Sequence, residues 1–445
     1  MEAVVFIPGI MGSKLVTANG EEVWPPTPAE TIFGYRRTDK LLAADTRHGG
    51  IIQSVATCFN VYGSILRDIG KLGFTSQGAA KRLHVFAYDW RLDLETTAAT
   101  LAAALDQVHA EGATTIHLIA HSMGGLVSRL VLEPETFRAR PWFGNIDLFA
   151  SLATPHLGAP LALARVLGLD STLGVSAADF RRIAADTRYP SGYQLLPSPG
   201  EDACWNQSDD RLRAIDIFDP AEAARLGLSP ALLDRRRWLH DTLAAGTPPD
   251  TCRYFYFAGT GHKTVTRVNV VVDAAGKIDP ARMVLTRTPD AGDGTVPMWS
   301  ALPRSGQKQT VVNEHASVFT GRPFLSVFSR LLGGPAVPAV ERVGIIGIAM
   351  SLDAPVQEAG MPIELVLVPD APLAEFRADI RAERIDDAGT ALAPPQLLAA
   401  LGFSGADLTH LRVNLPGIDE PGHYRLHLSG AGVDAEPLVL SVAAR

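Results

Sequence analysis

The most constraining stretch of this chain runs from Ile116 to Leu132: Ile-His-Leu-Ile-Ala-His-Ser-Met-Gly-Gly-Leu-Val-Ser-Arg-Leu-Val-Leu. Ile116 to Ala120 is a short apolar run with β-branched residues, which suits a buried parallel strand. Gly124 and Gly125 follow at once, and Leu126, Val127, Leu130 and Val131 recur at helical spacing. Ser122 therefore sits at a strand–turn–helix corner. Such a corner holds a nucleophile in a strained turn, with its hydroxyl exposed above the sheet. Ala120 and Gly124 are small enough to let strand and helix pass closely. The helix N-terminus aims free N–H groups and a positive dipole end at Ser122. A plain serine in a βα loop would carry the same bare motif, so the remaining catalytic partners must be sought elsewhere.

Serine acyl transfer needs a base to take the hydroxyl proton and an acid to orient that base. On α/β-hydrolases they follow in the order Ser, acid, His. Ser122, Asp293 and His315 obey that order, each in a loop after a strand-like segment. Asp293 lies between glycines in Asp290-Ala291-Gly292-Asp293-Gly294-Thr295-Val296-Pro297. Asp290 is the rival acid, without the flanking glycines. His121 points elsewhere in a strained turn and reads as structural. His156 and His262 end strand-like segments and are candidates to line the site. An oxyanion needs two backbone donors. Val4 to Ile7 is a strand that ends in Pro8-Gly9-Ile10-Met11-Gly12-Ser13. Ile10 or Met11 would give one donor from this loop, and Met123, after the nucleophile, the other.

The strands between these motifs alternate with helices. Tyr62 to Leu72 and Leu101 to Val108 have helical spacing and are closed by Gly73 and Gly112. Leu83 to Ala87, Ile146 to Ala153 and Arg253 to Ala258 read as strands. This alternation specifies a parallel sheet covered on both faces. Tyr88-Asp89-Trp90-Arg91 ends one strand, where ligands bind in open sheets, although an Asp–Arg strut reads equally well. Residues 17–57, with three prolines, read as irregular. Their Trp24, Ile32, Phe33 and Tyr35 either pack under the loop or form a lipid-facing patch. From about 160 to 252 the alternation lapses into helices, an expected cap. Leu161 to Leu169 reads as a lid or as packing beneath that cap. Val268 to Val272 and Met283 to Thr286 read as a hairpin across 273–276, and Phe319 to Leu332 as a last helix.

Charge and composition exclude other classes. A net charge of −8 argues against a nucleic-acid partner. Three distant cysteines, Cys58, Cys204 and Cys252, form no Cys-x-x-Cys, so no metal site is expected. Reduced thiols are the simpler reading, with a single bridge as the alternative. The first strand starts almost at Met1, leaving no room for a signal peptide, and Val343 to Leu352 is about half a membrane span. A cytoplasmic protein is expected, with peripheral membrane contact through local apolar patches.

Five pieces together resemble the lecithin:cholesterol acyltransferase family, with the lysosomal phospholipases A and the phospholipid:diacylglycerol acyltransferases. They are Ile7 to Ser13, Tyr88 to Arg91, Ala120 to Gly125, Gly292 to Pro297 and Glu314-His315, in the family's order. The resemblance implies an α/β-hydrolase acting on lipid esters, with Ser122 as nucleophile, Asp293 as acid and His315 as base. It also implies oxyanion donors at the N–H groups of Ile10 and Met123. Met11, Asp89, Trp90 and His156 are candidate substrate-pocket residues. Cys58 has no nearby cysteine to close the loop that animal members carry, and His156 stands where the family often has an aromatic residue.

Beyond Pro335 and Pro338 the pattern changes to short strands. Phe376, Ala378, Ile380 and Ala382 alternate with charged residues, and Leu411 to Leu415, Tyr424 to Leu428 and Leu438 to Val442 alternate likewise. About six strands suggest an immunoglobulin-like sandwich. The expected layout is a hydrolase domain over 1–335, with its cap about 160–252, and a β-sandwich over 340–445, a candidate surface for a protein partner. The expected activity is serine-dependent lipid acyl hydrolysis, phospholipase A- or lipase-like, without cofactor. The alternatives are acyl transfer to an alcohol and a non-catalytic binding protein on a hydrolase scaffold.

Overall fold

The computed structural model describes residues 1–55, 59–208, 212–273, 275–303, 305–335 and 346–444. In chain order, the strands that matter to the site are β1 (Glu2–Ile7), β2 (Lys81–Val85), β3 (Thr115–His121), β4 (Ile146–Leu152), β5 (Arg253–Thr260), β6 (His262–Val270), β7 (Val284–Gly292) and β8 (Gln307–Val312). Six of them form one sheet in the order β2-β1-β3-β4-β5-β8, with every pairing parallel. Burial on both faces explains their continuous apolar runs. In β1, Ala3, Val5 and Ile7 enter one apolar cluster, while Val4 and Phe6 enter another. Helices α1 (Gly63–Lys71), α2 (Leu94–Ala110), α3 (Met123–Leu132) and α4 (Gly321–Leu331) cover the two faces. Leu101, Leu105, Leu126 and Leu130 pack on the first, Ile65, Ile69, Phe324 and Phe328 on the second.

The chain leaves β1 outward to β2, then crosses to β3 on the other side of β1. The loops after β1 and β3 therefore diverge and leave a crevice at the strands' carboxyl ends. Residues 8–12 and Ser122 meet there.

Helices Pro160–Val166, Ala177–Ala184, Pro220–Leu226 and Pro230–Ala245 occupy the stretch expected to form the cap. That stretch is more than helical. Cys204–Asn206 pairs parallel with β6, and β6 pairs antiparallel with β7, making a second sheet outside the main one. The apolar cluster of the cap thus takes in Val265, Val268, Val270 and Ile278, beyond the expected limit at 252. A hairpin's own residues do not encode which sheet it joins. Its strands are also longer than expected, and its connection spans 271–283 rather than four residues; Ala274 lies outside the described residues. Leu161, Leu163 and Val166 are buried, so the candidate lid is packing.

The segment read as irregular contains ordered structure. Ser13–Val16 pairs with Glu22–Trp24 and Arg47–Ile51, and helix Pro28–Phe33 opens with a Thr27–Glu30 capping box. Such short strands offer too few alternations to be legible. Trp24, Ile32 and Tyr35 are buried, whereas Phe33 is 61% exposed. Cys204 and Cys252 are buried free thiols; Cys58 lies outside the described residues, as does most of the boundary expected at 335–340.

From Ile346 to Ala443 the chain forms two sheets around one apolar cluster. One holds Leu411–Leu415, Ile363–Pro369, Ile346–Leu352 and Val433–Asp434. The other holds Val356–Glu358, Leu438–Ala443, Gly422–Ser429, Leu373–Ile385 and Gln396–Leu408. Phe376, Ala378, Ile380 and Ala382 point inward as their alternation requires. Ile363–Pro369 escaped the reading because its run is nearly all apolar, and Gln396–Leu408 because it is a largely exposed edge strand. No helix among the described residues is long and apolar enough to cross a membrane.

Candidate active site

Ser122 alone makes the corner between β3 and α3. Its backbone has φ 52° and ψ −126°, a conformation L-residues rarely adopt. The end of β4 holds it there, since Ser122 N donates to Leu152 O at 2.8 Å. Glycines provide the room. A Cβ on Gly9 would lie 2.7 Å from Ser122 Cβ, one on Gly124 2.5 Å from Pro8 O, and one on Gly125 1.9 Å from Thr154 Oγ1. Gly124 therefore admits the loop after β1, a role the spacing around Ser122 did not reveal.

His315 follows β8 in a short turn. Its Nε2 lies 2.9 Å from Ser122 Oγ and its Nδ1 2.8 Å from Asp293 Oδ2. Asp293 is fully buried. Its Oδ1 accepts the N–H groups of Thr295 at 3.0 Å and Val296 at 2.7 Å, and its carbonyl accepts His315 N at 2.9 Å. A Cβ on Gly259 would fall 2.6 Å from Asp293 Cβ, so β5 needs glycine where the acid sits. Burial pulls the His315 imidazole down, but the charge and hydrogen bond of Asp293, with Glu314 beside it, hold its pKa above the ordinary value.

The loop after β1 is pinned by three side chains. Tyr62 Oη accepts Gly9 N at 2.9 Å, Tyr88 Oη donates to Pro8 O at 2.8 Å, and Trp24 Nε1 donates to Met11 O at 2.8 Å. Met11 sits at φ 64°. Met123 opens α3, where an N–H has no carbonyl partner within the helix. Among the described residues, the backbone hydrogen bonds of the loops use neither Ile10 N nor Met123 N.

His121 has a role that sequence reading caught only in part. Tyr62 Oη accepts from Gly9 N, so its own proton serves His121 Nδ1 at 2.8 Å. His121 Nε2–H then donates to His315 O at 3.0 Å. Burial first, and the neighbouring His315 second, hold the His121 pKa well below the ordinary value, so this ring is neutral. Tyr62 and His121 thus tie the loop after β1 to the backbone of His315. Nothing in the spacing marks Tyr62, whose partners are distant in sequence.

Three of the expected pocket residues are engaged elsewhere. Asp89 forms a buried pair with Arg91, Oδ1 to Nε 2.9 Å, and Arg91 also donates to Leu41 O and Thr46 O. This is the strut reading of that motif, made necessary by burying a guanidinium. Trp90 is buried against Trp24 and donates to Ser13 O at 3.2 Å. His156 is buried between Arg129 and Ser151, with its pKa depressed by burial and by Arg129. Met11 remains half-buried in the loop after β1. The rival acid Asp290 points away, to Arg412 at 3.1 Å. His262 lies behind the acid loop, bonded to Asp353 and Ser351. A groove of about 710 Å³ opens on the cap sheet, with Trp205, Arg267, Thr288 and Trp299 in its lining, and none of the expected pocket residues borders it. Among the described residues no group of three His, Cys, Asp or Glu is placed to hold a metal ion.

The profile of the lecithin:cholesterol acyltransferase family matches residues 51–220, which include Ser122 but neither Asp293 nor His315. The Saccharomyces cerevisiae protein YJR098C is 29% identical over 174 residues, 38% of this chain and 25% of its own length. A GPI inositol-deacylase of Cryptococcus neoformans is 44% identical over 52 residues, 12% of this chain and 6% of its own. The chain therefore spans a quarter or less of these relatives. The structure of the Tle4–Tli4 complex shares the fold at a TM-score of 0.51 and 14% identity, covering 73% of this chain and 96% of that one. Residues 51–220, with the Ser122 turn among them, thus resemble the lecithin:cholesterol acyltransferase family and are set in an α/β-hydrolase fold.

Proposed function

We propose that this chain is a serine-dependent lipid acyl hydrolase, phospholipase A- or lipase-like. The observation that carries the reading is the unbroken hydrogen-bond chain from Ser122 Oγ through His315 to buried Asp293. Ser122 Oγ attacks the ester carbonyl as its proton passes to His315 Nε2. The carbonyl π electrons move to oxygen, and the N–H groups of Ile10 and Met123 receive the charge. Removing one such donor costs on the order of 3 kcal/mol in the transition state. The intermediate collapses, the C–O bond breaks, and His315 returns the proton to the leaving alcohol. Water, activated by His315 in the same way, then releases the fatty acid. These steps use the chain's own groups and water.

The family likeness supports a lipid ester as substrate. It also favours a second reading, in which a lipid alcohol replaces the water and accepts the acyl group. In either reading residues 1–335 form the hydrolase unit, with a cap of residues about 160–252 and the β6–β7 hairpin shielding the acyl-enzyme. Fatty acid release from mixed phospholipid and neutral-lipid vesicles tests it, with Ser122→Ala alongside and a lipid alcohol added in parallel. Release that disappears with Ser122 is expected, and new esters in the parallel sample would convert hydrolase to acyltransferase. Release that persists in Ser122→Ala would overturn both.

A further inference from the structure

The acid loop is held from behind. Asp293 follows β7, and β7 ends beside His262, the first residue of β6, which pairs with Gly292. His262 is fully buried. Its Nδ1 lies 2.6 Å from Asp353 Oδ1, just past the C-terminal strand Ile346–Leu352, and its Nε2 3.0 Å from Ser351 Oγ, at the end of that strand. The carbonyl of His262 accepts Thr264 Oγ1 at 3.1 Å, and Thr264 Oγ1 accepts Gly294 N at 2.9 Å, one residue past Asp293. A third residue of the C-terminal unit, Arg412, spans the same seam. It donates to Asp353 Oδ2 at 2.7 Å, to Asp290 Oδ1 at 3.1 Å and to the carbonyl of Gly261. Gly261 forms the β5–β6 turn at φ 86°, and Thr260 Oγ1 donates to Asp290 O at 3.0 Å. Lys263 and Glu364 close an ion pair beside them.

These contacts lie on both sides of Asp293 and belong to a part of the chain with no other evident link to the chemistry. We propose that the C-terminal β unit is a positioning element for the acid: Asp353 and Arg412 clamp the β5–β6 turn and the end of β7, and so fix Asp293 against His315. The inference rests on the proposed roles of Ser122, Asp293 and His315. A guanidinium fork reaching a carbonyl and two carboxylates fixes three chain segments at once. Among the described residues, the hydrogen bonds of Asp293 itself go to its own turn and to His315. An exposed ion pair would do little, but here His262 is fully buried, Asp353 is largely covered beside it, and the fork completes the contact. Neither Asp353 nor Arg412 touches Ser122, His315 or Asp293, so both are positioning residues.

The test uses the full chain and a soluble ester turned over in a Ser122-dependent way. Arg412→Met, Arg412→Lys and Asp353→Asn are compared with wild type and with Arg384→Met, which removes an ion pair to Glu420 within the C-terminal sheets. For Arg412→Met, kcat is expected to fall about 10- to 100-fold with KM little changed, the loss seen when a reacting group is misplaced from a distance. Arg412→Lys recovers part of it and Arg384→Met retains wild-type kcat. The pH profile supplies a readout that simple loss of stability would not move. His315 faces Asp293, Glu314, His121 and Arg165. Weakening the Asp293 contact lowers the His315 pKa, and the base must be neutral, so the acid limb of kcat/KM shifts to lower pH. If Arg412→Met fails to fold, Asp353→Asn carries the same two expectations. Wild-type kcat and an unmoved acid limb in folded Arg412→Met and Asp353→Asn, or a lower melting temperature alone, would overturn the inference while leaving the function intact. Ester turnover that survives Ser122→Ala would overturn the function and the inference with it.

Discussion

The two halves of the site are built in opposite ways. The nucleophile half is local. Ser122 takes its position from the strand before it, the helix after it and one bond to the end of the neighbouring strand, while Gly124 and Gly125 decide how closely Pro8 and Thr154 approach. The acid–base half is assembled from distant pieces. Asp293 comes from a hairpin outside the main sheet, His315 from the last strand of that sheet, and the support behind them from residues past 350. A local device tolerates little change in side-chain volume. An assembled one is as tight where Gly259 meets Asp293, and depends besides on charge and hydrogen bonds across segments.

That contrast can be broken by measurement. Ser122→Ala is expected to have the largest effect, a loss of about 10⁴-fold or more in ester turnover, because the remaining groups act only as a unit. Asp293→Asn follows at about 10⁴-fold in kcat, since the amide favours the wrong His315 tautomer. The wild-type acid limb should lie above the ordinary histidine value, because His315 must lose its proton and Asp293 resists that loss; the Asn variant should move the limb down. An Asn variant near wild-type rate would place the acid elsewhere and end the comparison. Gly124→Val tests the local half. Its side chain meets Pro8 O and Ile7 O, both backbone, so a stability loss of about 1–3 kcal/mol is expected by thermal or urea unfolding. Tyr62→Phe is expected to cost a similar amount. It leaves Gly9 N and His121 Nδ1 without their shared hydroxyl, a cost of about 1–3 kcal/mol in stability, with a smaller loss of rate than either triad change. An unchanged melting temperature would show that the tie between the two halves carries no load.

The sequence was most legible where structure is local or repeats with a short period. The apolar run before Ser122 and the helical spacing after it mark β3, the turn and α3 without reference to the rest of the chain. Alternation in 376–382 marks a half-buried strand for the same reason. It failed where a short strand shows too little of its period, as in 13–51, and where a hairpin joins a sheet that its own residues do not specify, as in β6 and β7. It left Tyr88 to Arg91 and His156 undecided between strut and pocket, because a polar residue at a strand end reads the same in either role until its partners are known. Chain order and loop position, together with the family resemblance, brought Ser122, Asp293 and His315 under consideration. Tertiary structure decided that their atoms meet, that Tyr62 and His121 join the two loops, and that Asp353 and Arg412 stand behind the acid. The physical reason is that periodicity and sterics act within a few residues of chain, whereas a hydrogen bond between residues a hundred positions apart exists only once the packing of several elements has brought donor and acceptor within reach.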